Sequence, residues 1–462
     1  MSAPHIVLVS LITAAVVAAV VDRPPRRVDA PGEVTITYWE KWTGFEGEAM
    51  RATIERFNQR GVTDSAGRRI VCRYLSTTQV DRKSLLAIAG GNPPDLVGLW
   101  STNTHVFAEM GALTPLDPFI AASGHDLGRY IPVFLSRCRY RSPANDVERT
   151  WCLPTTPASV ALHWNKDLFR AAGLDPERPP RSIAEMEEYC EKLTRRDADG
   201  RVVQMGFLPV EPGWWNWSWG YYFGGRLNDG PERITADDPK NIAAWEWVCG
   251  FAEKYGREQM LSFRQGFGTF DSPQNAFLSG KVAMVVQGVW MANFIRFHNS
   301  QLKYGCAPFP TSFDTGGQPV TVADMDVIAM PHGCRHPEQA WAVIAYINSP
   351  EGMEYLCGDR ANNGGGQGKL TPFQETSPGW IEQHTHPYLQ VFIDLAKSRN
   401  AVAIPQLLVW DEYQQELSNA FELAWLGKAT PAEALKAVQA RMQPKLDRAL
   451  DIARARAQEK AK

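Results

Sequence analysis

Residues 34–60 read VTITYWEKWTGFEGEAMRATIERFNQR, and their pattern decides the fold. Val34–Trp39 alternates with the period of two that a strand requires, ending on an aromatic residue. Beyond it, Met50, Ile54 and Phe57 recur at i, i+4 and i+7, which puts them on one face of a helix expected over Glu46–Gln59. The alternation continues with a strand over Ile70–Leu75, a helix over Ser84–Ala89 and a strand over Leu96–Trp100. Strand, helix, strand in succession calls for a mostly parallel sheet with helices on its faces. The pattern resumes after Leu153-Pro154 with a strand over Val160–Trp164 and a helix over Ile183–Arg195. Further helices are expected over Asn241–Tyr255, Trp290–Arg296 and Glu338–Asn348, and the last of these buries Ala340, Val343, Ile344 and Ile347. From about Val409 onward the chain is helical. It carries two apolar stripes: one over Tyr413, Leu417, Ala420, Phe421 and Ala424, the other over Leu435, Val438, Met442, Leu446 and Leu450. Both read as core.

At 462 residues the chain is long enough for two or more lobes. Its 48 basic and 51 acidic side chains are interspersed and give a net charge of −3, so no basic stripe exists for a nucleic-acid backbone. Near the N-terminus, Ile6 to Val21 is an apolar run of the length of a secretory h-region, and 22–33 (DRPPRRVDAPGE) reads as a linker. No Lys or Arg precedes the run and Arg23, Arg26 and Arg27 follow it; export with cleavage or with an uncleaved anchor is preferred to a cytosolic location. The eight cysteines lack metal spacing and read as buried small hydrophobes. Cys138 and Cys152 bracket an expected hairpin with its turn at Ser142-Pro143-Ala144-Asn145-Asp146, which makes them the best disulfide candidates. The histidines, among them His163, His332 and His336, have no ligand spacing, and neither a metal nor another cofactor is expected. Sixteen tryptophans, several clustered, are the compositional outlier.

Five segments in order carry a family resemblance. They are ITYWEKWTGFEGEAM running into RFNQR, SLLAIAGGNPPDLVGLW with FAEMGALTPLD, LPTTPASVALHWNKDLFRAAGLDPERPPRS, AFLSGKVAMVVQGVW, and VIAMPHGCRHPEQAWAVIAYINSPEGMEYL. Together they resemble the extracellular solute-binding proteins of carbohydrate ABC importers, of the maltose-binding-protein type. The chain departs from that pattern at Ala323-Asp324-Met325-Asp326, where relatives carry a Gly pair and small residues, at Gly368-Lys369-Leu370-Thr371-Pro372, and in lacking a lipobox cysteine. The resemblance implies an α/β fold of the periplasmic-binding-protein type II kind: two α/β lobes, hinge crossings, and a ligand cleft between the lobes. The expected division is 1–33 as signal or anchor and linker, 34–153 plus 322–368 as lobe 1, and 154–321 plus 369–462 as lobe 2. The implied partners are a carbohydrate ligand and the transmembrane permease subunits of an ABC transporter, and the protein is expected to be an exported monomer.

A sugar presents flat C–H faces that aromatic rings cover and many hydroxyls that planar polar groups must satisfy. An unpaired buried hydroxyl costs about 1–3 kcal/mol, so the polar groups choose the sugar. In open α/β sheets the strand ends line the cleft. That places Glu40, Lys41, Trp42 and Thr43 after the first strand, and Trp100, Ser101, Thr102 and Asn103 after the third. The resemblance adds Trp290, which closes Gly-Val-Trp at a helix start where relatives stack an aromatic on sugar. It also adds the run Pro212–Tyr222 ahead of Gly224-Gly225, from which at least one of Trp214 and Trp215 is expected in the cleft, with Trp217, Trp219 and the tyrosines more in keeping with core. Of Asp324 and Asp326, one is expected to accept sugar hydroxyls. The expected contact set is therefore Glu40, Trp42, Trp100, Ser101, Trp214, Trp215, Trp290 and Asp324. Trp39 reads equally as cleft or lobe core, Asp95 as a turn brace in preference to a ligand contact, and Gly364-Gly365-Gly366 as a cleft loop or a surface turn. Two rivals remain. A carbohydrate-active hydrolase needs the same walls, but no nucleophile elbow, metal motif or catalytic carboxylate signature is present. A membrane-tethered sugar sensor or scaffold would keep the binding chemistry without transport.

Overall fold

A computed structural model describes residues 29–143, 145–359 and 366–460. The apolar run Ile6–Val21, most of the 1–33 segment, Ala144 of the hairpin turn, and Gly364-Gly365 lie outside the described residues. Strand β1 (Glu33–Glu40) buries Val34, Ile36 and Tyr38, and helix α1 (Gly44–Gln59) seals that face with Met50, Ile54 and Phe57. Strand β2 (Arg69–Ser76), helix α2 (Val80–Ala89) and strand β3 (Leu96–Trp100) follow, and β2 and β3 both pair parallel with β1. Helix α3 (Pro132–Cys138) leads into the expected hairpin, whose strands span Arg139–Arg141 and Glu148–Thr150. Strand β4 (Cys152–Asn165) is buried along its whole length, and Asn165 caps the next helix by accepting from the Asp167 and Leu168 amides at 3.0 and 3.1 Å.

Lobe 2 adds α4 (Ile183–Leu193), β5 (Val202–Phe207), α5 (Pro239–Tyr255), α6 (Arg257–Gln265), β6 (Val282–Gly288), α7 (Met291–His298) and β7 (Tyr304–Ala307). The chain then returns along β8 (Thr321–Ala329). The sheet runs β2–β1–β3–β8–β4–β6–β5, with β7 also paired to β4. Two long antiparallel strands, β4 and β8, thus join a parallel half on one side to a second half on the other. This is the two-lobed α/β architecture with hinge crossings.

Each half has its own core. Lobe 1 packs Val34, Ile36, Phe57 and Leu96 against Ile344, Ile347 and Leu356. Lobe 2 packs Trp217, Trp219, Trp245 and Phe421 among the two tail helices, Trp410–Trp425 and Pro431–Lys460, whose apolar stripes are all buried. A third cluster, including Leu99, Phe134, Ala158, Ala161, Val327 and Phe392, fills the crossing. Phe373 packs in the same core cluster as Val34 and Ile344, with its ring centroid 5.2 Å from that of Tyr130, and the Ile131 amide donates to the Pro372 carbonyl at 2.8 Å. All eight cysteines are free thiols, seven of them buried. Cys138 and Cys152 do meet at the mouth of the hairpin, with burial and the Cys152 neighbour pushing the Cys138 thiol well above its ordinary pKa, but no bridge joins them.

Candidate functional site

The lobe 1 wall is built where β1 and β3 end. Trp42 and Trp100 stand edge to face, with ring centroids 5.2 Å apart and planes at 80°. Lys41 lies between them, its Nζ 4.4 Å from the Trp100 centroid and 5.1 Å from that of Trp42. Asp326 on β8 anchors the group: it accepts from Trp42 Nε1 at 2.8 Å and from the Thr156 hydroxyl, and pairs with Lys41 Nζ at 2.9 Å. Burial works against the Lys41 ammonium, but Asp326 and Glu40 outweigh it and the pKa is raised. Trp100 is left 44% exposed, a flat indole face open to solvent.

Beside it, Ser101 donates to Asp324 Oδ1 at 2.7 Å, and the Met325 amide donates to the same oxygen at 2.8 Å. Among the described residues Asp324 Oδ2 has no hydrogen-bond partner. Arg137 supports the group from below, donating to the carbonyls of Ser101 at 3.0 Å and Ile404 at 2.6 Å. Burial raises the Asp324 pKa despite those donors and the Arg137 charge. Lys369 approaches Trp42 to 5.4 Å and is paired with Glu46 at 2.6 Å.

The lobe 2 wall is apolar. Trp214 is 38% exposed and Trp290 half-buried, with centroids 6.3 Å apart. Trp290 is fixed by donating to Gln287 Oε1 at 3.1 Å and by lying over Gly288, where a Cβ would fall 2.4 Å from its ring. The lobes touch through Phe45 and Phe297, 5.4 Å apart, and through Arg296 and Asp359 at 3.0 Å.

Of the eight expected contacts, the structure assembles Trp42, Trp100, Ser101 and Asp324 into one wall and Trp214 with Trp290 into another. It turns Glu40 inward. That carboxylate is fully buried, accepts from the Tyr38 hydroxyl at 2.6 Å and the Lys41 amide at 2.7 Å, and rests on Gly98, where a Cβ would fall 2.0 Å from Oε2. Trp215 is half-buried against the lobe 2 core, and Trp217 and Trp219 lie inside it. Trp39 packs on the crossing cluster, and Asp95 braces the first strand by accepting from the Thr37 amide and hydroxyl at 2.8 and 2.9 Å. A groove of about 760 Å³ lies elsewhere, between the hairpin, the 228–232 loop and the last helix, and no tryptophan lines it.

Two walls on two lobes joined by paired crossing strands are the geometry of a hinged clamp. The family model for bacterial extracellular solute-binding proteins matches residues 52–362, about two thirds of the chain. The chain belongs to this family. This solute-binding protein is accordingly a binding component of an ABC transporter and not an enzyme. Among curated relatives it is 24% identical over 363 residues to a binding protein of Brucella abortus, covering 76% of this chain and 79% of that one. It is also 24% identical to the sn-glycerol-3-phosphate-binding periplasmic protein UgpB of Salmonella typhimurium, over 62% of this chain and 63% of that one. Among solved structures, CpMnBP1 with mannotriose bound superposes with a TM-score of 0.71 at 27% identity, over 88% of this chain and 99% of that one. The sugar-binding protein MalE of Xanthomonas citri shares the fold, with a TM-score of 0.70 at 20% identity over 91% and 99%.

Sequence reasoning missed several supports of these candidate walls: Arg137, Thr156, Gln287 and the Glu46–Lys369 pair. None sits at an end of the strands whose pattern was legible; Gln287 lies near the end of β6, a strand that the sequence reading did not include. Each reaches the wall through tertiary packing that no local spacing announces.

Proposed function

We propose that this solute-binding protein captures a neutral sugar or oligosaccharide between Trp42 and Trp100 on one lobe and Trp214 and Trp290 on the other, and delivers it to permease subunits by hinge motion. The observation that carries this reading is the pair of indole walls combined with a cleft whose cations are already matched. Lys41 faces Asp326 and Glu40, Lys369 faces Glu46, and Arg137 is held by two carbonyls near Asp324. An anionic ligand needs surplus positive charge or a set of free donors. A sugar needs flat apolar faces and hydrogen-bonding groups fixed in place, which this arrangement supplies.

Asp324 is the proposed acceptor of sugar hydroxyls, through the oxygen that no protein donor occupies, while Ser101 fixes its orientation. Glu40 serves as a support for Lys41 without touching ligand. Export to the cell envelope follows the extracellular character of the family, and retention by the N-terminal apolar run is part of the proposal. The test is calorimetric titration of the purified protein with mannobiose, mannotriose and maltotriose, and with sn-glycerol 3-phosphate. Saturable binding of an oligosaccharide is expected. Binding of the glycerol phosphate alone would overturn the neutral-ligand reading.

A further inference from the structure

The surplus positive charge that an anion needs is absent from the two walls but present elsewhere on the molecule. Beside Gly224-Gly225 a groove of about 200 Å³ is lined by Arg226, Lys240 and Arg399, together with the exposed ring of Phe313, and no carboxylate lines it. This volume is below the roughly 300–1,000 Å³ of drug-sized ligand sites, so it suits one small group. Among the described residues, none of the three cationic side chains has an ion pair or a hydrogen bond. Other exposed cations of the chain do reach acids: Arg56 and Arg60 share Glu351, and Arg441 meets Glu416.

The three cations come from three separately anchored segments. Arg226 stands on a loop fixed by Asn241, whose Nδ2 donates to the Arg226 carbonyl at 2.7 Å and to the Thr235 carbonyl at 2.9 Å. Gly225 rests on the same amide, where a Cβ would collide with Asn241 Oδ1. Lys240 lies in the first turn of α5, the positive end of the helix dipole, where a cation is disfavoured. Arg399 sits between Ser398, whose hydroxyl donates to the Pro319 carbonyl at 2.6 Å, and Asn400, whose side chain donates to the Gln318 carbonyl at 2.7 Å. The acids next in sequence are engaged locally. Asp238 accepts from the Lys240 amide and Asp314 from the Gly316 amide, both at 2.8 Å. Three like charges on one small groove repel, and the backbones that carry them are held too firmly to spread.

We propose that this groove is a phosphate-binding site, taking either a free phosphate or the phosphate of an anionic lipid headgroup. Two guanidinium forks and an ammonium match the several oxygens and the multiple charge of a phosphate better than the single charge of a carboxylate. None of the lining residues belongs to either candidate wall, so the site is independent of the ligand held there.

The experiment compares the wild type with the double variant Arg226→Gln/Arg399→Gln and with Arg201→Gln, an exposed arginine outside the groove. Arg226 and Arg399 are themselves exposed, so the double variant disturbs neither core. Each protein is titrated calorimetrically with inorganic phosphate and sedimented with vesicles of phosphatidylcholine alone or mixed with phosphatidylglycerol. For a free anion, the wild type and Arg201→Gln bind phosphate and the double variant binds it at least about tenfold more weakly. Added salt should weaken that binding, because exposed charges are screened. For a lipid headgroup, the wild type and Arg201→Gln sediment only with the phosphatidylglycerol vesicles, and the double variant loses this. A wild type that binds neither probe, or binding unchanged in the double variant, overturns the site. The double variant keeps every residue of the two walls, so titration with oligosaccharides tests the sugar reading separately.

Discussion

The two candidate walls are built on opposite principles. The lobe 1 wall is a charged, hydrogen-bonded lattice in which Asp326 alone ties together Lys41, Trp42 and Thr156. The lobe 2 wall is a row of rings, Trp290, Trp214 and then Phe270, in which Trp290 has a single side-chain tie to Gln287. The first is rigid because each polar group is fixed by another; the second is held by packing and can tolerate exchange of one apolar face for another. On the proposed reading, lobe 1 presents a pre-organised surface and lobe 2 an adaptable one.

The largest expected effect falls on the lattice. Asp326→Ala strips Lys41 of its main counter-charge while both groups are almost wholly buried, with side chains 7% and 5% exposed. Removing one partner of a buried pair costs about 3–5 kcal/mol. Urea unfolding should show that loss, and sugar binding should vanish because Trp42 is no longer held. An unchanged unfolding midpoint would break the claim that lobe 1 is a lattice.

Next comes the opposite wall. Trp290→Ala should weaken sugar binding by about 30-fold or more, the scale of a binding hot spot of about 2 kcal/mol, while circular dichroism reports an intact fold. Trp100→Ala should cost about tenfold in affinity with little change in melting temperature, since its indole is 44% exposed and fills no core. If Trp100→Ala instead destabilised the protein as strongly as Asp326→Ala, the indole would be a structural member of the lattice and not a free face.

The fold was legible because it rests on local periodicity. Met50, Ile54 and Phe57 lie on the buried face of α1, and Tyr413 and Leu417 lie in the core, as their spacing demands. Of the candidate walls, Trp42 and Trp100 were legible from strand ends, and Trp214 and Trp290 from the family resemblance. Glu40 shows both the reach and the misuse of that rule. It follows Ile36 and Tyr38 in the period of two and is therefore turned into the lobe, a consequence available from alternation alone. Arg137 and Lys369 were not legible at all, because each arrives from a helix or loop more than thirty residues from the strand end it supports, and only packing joins them.

The smallest expected effect concerns Asp324, a lobe 1 group with one carboxylate oxygen that no donor among the described residues occupies. Burial raises its pKa, so folding favours the protonated acid over the carboxylate. A raised pKa contributes stability that is complete below the unfolded value and lost as pH rises through the folded one. At neutral pH the charged side chain is therefore a net burden on the fold. Asp324→Asn keeps an acceptor for Ser101 and the Met325 amide but removes the charge. It should stabilise the protein by about 1 kcal/mol or less at neutral pH. That advantage should shrink on acidification through the elevated pKa toward the ordinary carboxylate range. The same substitution should weaken sugar binding, because an amide accepts fewer hydroxyls than a carboxylate. Thermal melts of both proteins across that pH range, read beside titrations at neutral pH, separate the two roles: a variant that binds as well as wild type would return Asp324 to the lattice as a purely structural acid.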